Sequence, residues 1–277
     1  MTPDSGFPQR IVCLTEETTE TLYRLGEDWR IVGISGFTVR PPQARREKPR
    51  VSAFTSARIE RIVALRPDLV LGFSDLQADI AASLVREGIE VHVFNHRSVA
   101  DILRMVRTLG GMIGCADRSC ALAGELEAGL EQVRRRAAAL TRRPRVYFEE
   151  WDDPTISGIR WVSELVELAG GEDCFPELSR EPLGRNRIIA DPLEVARRAP
   201  DIVLGSWCGK KFRPEAVAAR PGWSDIPAVR AGYVREIKSS LILQPGPAAL
   251  TDGVGAIEKV IGEWAGQRRS GRRPPSA

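Results

Sequence analysis

Six carboxylates stand in two tight groups, Glu16 and Glu17 in the run RIVCLTEE and Glu149, Glu150, Asp152 and Asp153 in RVYFEEWDD. Each group closes a short apolar run of strand-forming residues. Acids gathered at strand ends raise one another's pKa, bind a metal or receive a cationic ligand. The competing reading is that some of them cap the helices that follow, since acidic side chains are favourable near helix N-termini. Alternation along a strand lets only about half of each group point to one side. Basic groups gather at comparable places. Arg40, Arg185, Arg187, Lys210, Lys211 and Lys238 are placed to neutralise those acids or to bind carboxylates and phosphates on a ligand, and each alone reads as a solvated rim. His92 and His96 are four apart on a strand end, so they do not share a face as a helical pair would. His96 is a candidate axial ligand to a metal centre, weighed against a surface histidine. Cys115 and Cys120 lack the second pair that a zinc site needs. There is no Gly-rich phosphate loop, no Ser-His-Asp order and no nucleophile elbow.

The elements that must hold these residues repeat. Residues 60–72 read ERIVALRPDLVLG and residues 194–205 read EVARRAPDIVLG, each a helical run closed by Pro-Asp and followed by an apolar strand ending in Gly. Residues 10–17 and 145–151 are both strands ending in adjacent acids, and each is followed by a helix that stops at glycine (ETLYRLG and WVSELVELAGG). A strand–helix–strand unit repeated at this spacing predicts two similar lobes and a cleft between them.

In the first lobe, strands are expected at residues 11–14, 31–34, 69–72 and 90–94, and helices at 18–25, 57–65 and 77–87. A Pro- and Arg-rich loop is expected over 36–50. Near-continuous apolar strands alternating with helices argue for parallel sheets covered by helices. After a helix at 99–113, residues 119–140 (SCALAGELEAGLEQVRRRAAAL) read as one amphipathic helix of about 22 residues, roughly 33 Å long at 1.5 Å per residue. The fold class expected is α/β, two Rossmann-like lobes with parallel sheets joined by one long backbone helix. The boundaries are a flexible N-terminus at 1–9, an N-terminal lobe at 10–114, a linking helix at 115–143, a C-terminal lobe at 144–266 and a basic disordered tail at 267–277. In open parallel sheets ligands sit beyond the carboxyl ends of the strands. The candidate segments are therefore 15–18, 35–40, 54–56, 73–75 and 95–97 in the first lobe, and 149–153, 206–211 and 239–244 in the second.

Composition bounds the function. The chain has 277 residues, 43% hydrophobic and 28% charged, as in soluble globular proteins. Its formal charge of +3, from 40 basic and 37 acidic residues, provides no field that selects nucleic acid or membrane. No apolar run approaches the roughly 20 residues of a membrane helix. The first ten residues, MTPDSGFPQR, have no apolar segment or cleavage site of an export signal. The five cysteines are odd in number and scattered, with Cys13, Cys174 and Cys208 in or beside apolar stretches, which fits reduced thiols better than a disulfide framework. These features place the protein in the cytoplasm, or in the periplasm if the start is truncated.

Several of these segments together resemble class III solute-binding proteins, which carry cobalamin, haem or ferric siderophores to ABC importers. They are RIVCLTEETTETLYRLG, ISGFTVRPPQA, VSAFTSARIERIVALRPDLVLG, LVREGIEVHVF and SELVELAGGEDCFPE. The resemblance covers roughly residues 10–265, and the cobalamin binders match the pattern best. It implies a bilobal, non-enzymatic protein with little closure on binding, and a docking acid in each lobe for the permease. Glu60 falls on the first docking position. Leu193 falls on the second, with Glu194 one residue later, and one residue turns a helical side chain by about 100°. By position, Phe37, Phe54 and Phe73 match aromatic sites that contact the corrin in the cobalamin-binding relatives, with core packing as the alternative for each, and Trp151 sits at a strand end of the second lobe. A flat macrocycle needs broad aromatic area with few polar anchors. Where the family commonly has small neutral residues after its first strand, this chain has Glu16 and Glu17.

The reading that unites these features is a non-enzymatic binding protein for cobalamin or a similar metal chelate held between the two lobes, acting in transport, salvage or sensing. Its ligand-binding residues are Glu16, Glu17, Phe37, Arg40, Phe54, Phe73, Glu149, Glu150, Trp151, Asp152, Trp207 and Lys238, with Glu60 and Glu194 for docking. No cofactor, no protein-held metal and no nucleic acid are required, and the chain is expected to be monomeric, with an ABC permease as a candidate partner. The alternative is a cytosolic metal-dependent enzyme that uses the acid-lined cleft.

Overall fold

The computed structural model describes the backbone of residues 6–270 and the side chains of 6–267. It divides into two compact units. One takes the described residues up to His96 together with Ala100–Glu127 and the short segment Gln244–Pro247. The other takes Arg97–Val99, Ala128–Leu243 and the described residues from Ala248 onward.

The first unit is built on five strands, β1 (Ile11–Cys13), β2 (Ile31–Ser35), β3 (Arg50–Ser52), β4 (Leu69–Phe73) and β5 (Val91–Phe94). They lie in the order β3-β2-β1-β4-β5 and every pairing is parallel. Parallel strands covered on both faces must be apolar throughout, and β1 and β4 are buried at every position. Val12, Leu14, Val51, Ile62, Val70, Ile80 and Leu84 form one core cluster beneath the covering helices. The strand order reverses between β1 and β4, so the crevice beyond their carboxyl ends is the place where such sheets receive ligands.

The second unit has β6 (Arg145–Asp152), β7 (Thr155–Ser157), β8 (Glu172–Asp173), β9 (Ile202–Gly205) and β10 (Val234–Glu236). Strands β10, β9 and β6 are parallel, and β8 pairs in parallel with the first two residues of β6. β7 departs from the all-parallel expectation: it turns back at Asp153 and Pro154 and pairs antiparallel with the end of β6. The acids at 149–152 therefore lie within an extended strand rather than beyond one.

Three further boundaries differ from the sequence reading. The helix expected at 18–25 is Glu16–Arg24, because Thr15 is extended (φ −141°) and serves as its N-cap residue. Glu16 and Glu17 thus occupy a first helical turn, where negative charge is favourable, and not a strand end. The loop expected at 36–50 contains the helix Ala44–Glu47 and ends in β3, an edge strand of three residues with one inward apolar side chain, Val51. The long helix is Ala116–Ala137, three residues earlier than expected but of the same 22-residue length. It starts in the first unit and ends in the second. The last helix, Val254–Ser270, takes in the first residues of the expected tail, while residues 1–5 and 271–277 lie outside the described residues. Among the described residues no helix is long and apolar enough to cross a membrane.

Candidate functional site

In the first unit the parallel pairing puts the carboxyl ends of all five strands on one edge, and one buried amide ties three of them together. Gln77, fully buried, accepts the Phe73 backbone N–H at 2.9 Å through Oε1. Its Nε2 donates to the Phe54 carbonyl at 2.9 Å and the Leu14 carbonyl at 3.4 Å. Ser74 beside it holds φ +63°, a left-handed conformation costly for a side chain with a Cβ, and its Oγ accepts the Leu76 N–H. This small polar frame fixes the backbones that carry Phe54 and Phe73.

The three phenylalanines are not equivalent. Phe37 is 54% exposed just beyond β2, Phe54 is half-buried, and Phe73 is buried with its ring centroid 4.9 Å from that of His96. His96 is neither a surface histidine nor an open ligand through Nε2, because that nitrogen lies 2.7 Å from the Pro245 carbonyl, a contact that places a proton on it. Phe73 and His96 pack against each other in the interior, whereas Phe37 and Phe54 keep exposed ring surface.

Glu16 and Glu17 are almost fully buried. Glu16 Oε2 accepts the backbone N–H groups of Val39 and Arg40, and the Arg40 guanidinium lies 3.2 Å from Glu20. Glu17 Oε1 accepts the Thr15 hydroxyl at 2.6 Å, and Gly246 packs so closely that an added Cβ would come within 2.5 Å of Glu17 Cβ. Burial pushes both carboxyls up to about 7; at Glu16 this prevails over the two N–H groups and is aided by the nearby Glu20 and Glu17. Glu16, expected as a ligand contact, holds the backbone of the loop that follows Phe37.

In the second unit every acid of the β6 group but Asp153 carries its own cation. Glu149 is completely buried. It accepts Arg220 Nη1 at 2.5 Å and Nη2 at 2.9 Å, the Tyr147 hydroxyl at 3.0 Å and Trp207 Nε1 at 3.1 Å. Burial pulls the Arg220 pKa down, but the bonds to Glu149 outweigh it and raise it above its usual value; burial and the Glu149 charge drive the Tyr147 phenol well up. Glu150 forms a fork with Arg187, at 2.6 and 3.0 Å, and Asp152 pairs with Lys210 at 2.5 Å. Lys210 in turn places its ammonium over the rings of Trp151, 5.7 Å away, and Trp207, 5.2 Å away. Trp207 is buried and edge-on to Phe212, whereas Trp151 is half-buried. Lys238 is exposed and sits 3.6 Å from Glu236. Glu149 and Trp207, expected as ligand contacts, are bonded to each other, and Glu149 also to Arg220. Among the described residues no group of three or more His, Cys, Asp or Glu is placed to hold a metal ion.

Arg220, Gln77 and Tyr147 were missed by sequence reasoning. Arg220 follows Glu149 by 71 residues and lies in a Pro-Gly turn with no strand-end signal. The docking candidates also differ. Glu60 is exposed on the helix Ile59–Ala64 with no ion-pair partner among the described residues, whereas Glu194 is bound to Arg197 at 2.7 Å and Arg198 at 3.0 Å. None of the five cysteines is in a disulfide; Cys208, read as a small hydrophobe, is exposed, and burial pushes Cys13 and Cys174 up to about 12.

With this geometry in view, residues 11–241 match the sequence model of the periplasmic binding protein family. The chain belongs to that family. It is 26% identical over 259 residues to the cobalamin-binding protein of Halobacterium salinarum (strain ATCC 29341 / DSM 671 / R1), covering 87% of this chain and 66% of that protein. The chain therefore spans just under two thirds of that relative's length. It is 23% identical over 268 residues to the uncharacterized ABC transporter substrate-binding lipoprotein YvrC of Bacillus subtilis (strain 168), covering 92% of this chain and 80% of the other. Among solved structures, the apo periplasmic haem-binding protein RhuT from Roseiflexus sp. RS-1 superposes with a TM-score of 0.77 at 24% identity, covering 91% of this chain and 99% of that one. That likeness shows the fold. The family is one of substrate-binding proteins and not of enzymes. Its periplasmic and lipoprotein members do not support the cytoplasmic placement expected from the first ten residues.

Proposed function

We propose that this chain binds a flat metal chelate of the corrin or haem kind. The observation that carries the reading is the 26% identity over 87% of the chain to a protein named for cobalamin binding. The aromatic distribution supports it: Phe37 and Phe54 offer ring surface at the carboxyl edge of the first sheet, and Trp151 does so at the end of β6. Apolar ring area supplies most of the affinity for such a ligand, and a few polar groups orient it. Arg40 in the first unit, and separately Glu150, Asp152 and Lys238 in the second, are the polar candidates for ligand contact, and Glu16 holds the Arg40 backbone. Membership of the periplasmic binding protein family supports an ABC permease as partner, docked first through Glu60, and a working compartment outside the cytoplasm. No reacting group is needed for this role.

Native mass spectrometry and visible absorption, with aquocobalamin and haemin added separately, test the proposal. A one-to-one adduct with a shifted absorption band is expected for one of them, and Phe37→Ala with Phe54→Ala should weaken it at least about tenfold. Absence of any adduct with both ligands overturns it.

A further inference from the structure

The first unit holds a recess of about 470 Å³ at the open edge of its sheet, lined by Gly36 and by the polar side chains of Arg50, Ser52, Ser56, Arg58 and Arg61. The chain builds it from a short sequence. Val51 points into the core, so Arg50 and Ser52 on either side of it project to the opposite face. A tight return follows, closed by Ala53 N–H to the Ser56 carbonyl at 2.7 Å and by Arg58 N–H to the Val51 carbonyl at 3.0 Å. That return brings Arg58 back beside β3, and Arg61, three residues on, shares its side of the helix.

Three guanidinium groups therefore border one recess whose lining contains no carboxylate. None of the three has an ion-pair partner among the described residues, whereas Arg187, Arg198 and Arg220 elsewhere are each bound to an acid. The Ser52 Oγ is buried at the same place with no hydrogen-bond partner among the described residues. Local charge is concentrated as well: residues 40–61 carry seven basic and two acidic side chains, a net +5 against +3 for the whole chain. Of those two acids, Glu47 accepts the Tyr23 hydroxyl at 2.7 Å, and Glu60 is exposed on the helix beside Arg61.

We propose that this recess is a binding site for a compact multivalent oxyanion, held by Arg50, Arg58 and Arg61 with Ser52 as a hydroxyl donor. Planar guanidinium forks match carboxylate and phosphate oxygens in pairs, and clustered arginines without counter-ions repel one another until an anion arrives. A recess of about 470 Å³ admits an anion of several non-hydrogen atoms. The site lies wholly within one unit and does not depend on the chelate reading.

Isothermal titration with pyrophosphate and with citrate, at 20 and 150 mM salt, separates the two anion chemistries. Saturable one-to-one binding of either supports the site; preference for pyrophosphate assigns phosphate and preference for citrate assigns carboxylate. The variant Arg58→Gln/Arg61→Gln should weaken it about tenfold or more, and Ser52→Ala a few-fold, with unchanged far-UV circular dichroism. Arg50→Gln repeats the test from the strand side. No saturable binding at millimolar anion, or affinity unchanged in the variants, overturns the proposal.

Discussion

Glu149 shows how a residue selected for its chemistry turns out to hold up its neighbours. A completely buried carboxylate that receives Arg220, Tyr147 and Trp207 is stable only while the guanidinium is present. Arg220→Met should therefore destabilise the protein by about 3–5 kcal/mol, because it leaves a buried charge without compensation. Adding Glu149→Gln to that variant should restore part of the loss, and urea unfolding followed by tryptophan fluorescence measures both. Glu16 and Glu17 make a second test at this scale. Their folded pKa of about 7 lies above the ordinary 4.5, so between those values the native state binds more protons than the unfolded chain. Their contribution is fully present below pH 4.5 and is lost as pH rises through 7. Glu17→Gln should flatten this part of the stability-against-pH curve, and an unchanged slope would sink the assignment.

At the scale of elements, the first sheet depends on Gln77. Its amide serves the Phe73 backbone N–H and the Leu14 and Phe54 carbonyls at three strand ends. Gln77→Leu leaves those groups buried and should cost about 2–4 kcal/mol. Amide exchange should quicken most at Phe73 if the frame is local, and not at β2. The architecture around this frame was legible because Pro-Asp closes each helix and a buried apolar run follows, so alternation and the repeat could be read directly. β3 and β7 were not legible. Each has three residues, too few for a periodic signal, and β7 exists because the chain reverses after Asp152 rather than because of its own composition. The acids were expected at strand ends, but Glu16 and Glu17 lie in a first helical turn and 149–152 lie within β6, and their pairings were hidden. Arg187 lies 37 residues after Glu150 and Arg220 71 residues after Glu149, and ion pairs over such separations leave no local trace. The same gap explains why an acid-lined metal site looked plausible from the sequence and does not survive the pairing with Arg187, Arg220 and Lys210.

For the whole molecule, the proposed ligand binding and the proposed docking each make a separate prediction. A ligand that binds only the folded chain adds RT ln(1 + [L]/Kd) to stability, about 2.7 kcal/mol at one hundred times Kd. The melting temperature in aquocobalamin should then rise with the logarithm of ligand concentration, and Phe37→Ala should require more ligand for the same rise while leaving the unliganded value nearly unchanged. Docking follows a different rule. In the first unit Glu60 is exposed and without an ion-pair partner among the described residues. In the second, Glu194 already satisfies Arg197 and Arg198 on its own short helix. An acid must be released before it can bind a permease arginine, and an exposed pair of this kind holds it only weakly. That is enough to make the two sites unequal without closing the second. Glu60→Ala should therefore lower ligand-stimulated ATP hydrolysis by the reconstituted permease more than Glu194→Ala. Arg197→Ala, which frees Glu194, should leave docking intact or strengthen it. Equal losses at the two acids would mean that the pairing with Arg197 and Arg198 gives way on contact, and the asymmetry would then have no functional weight.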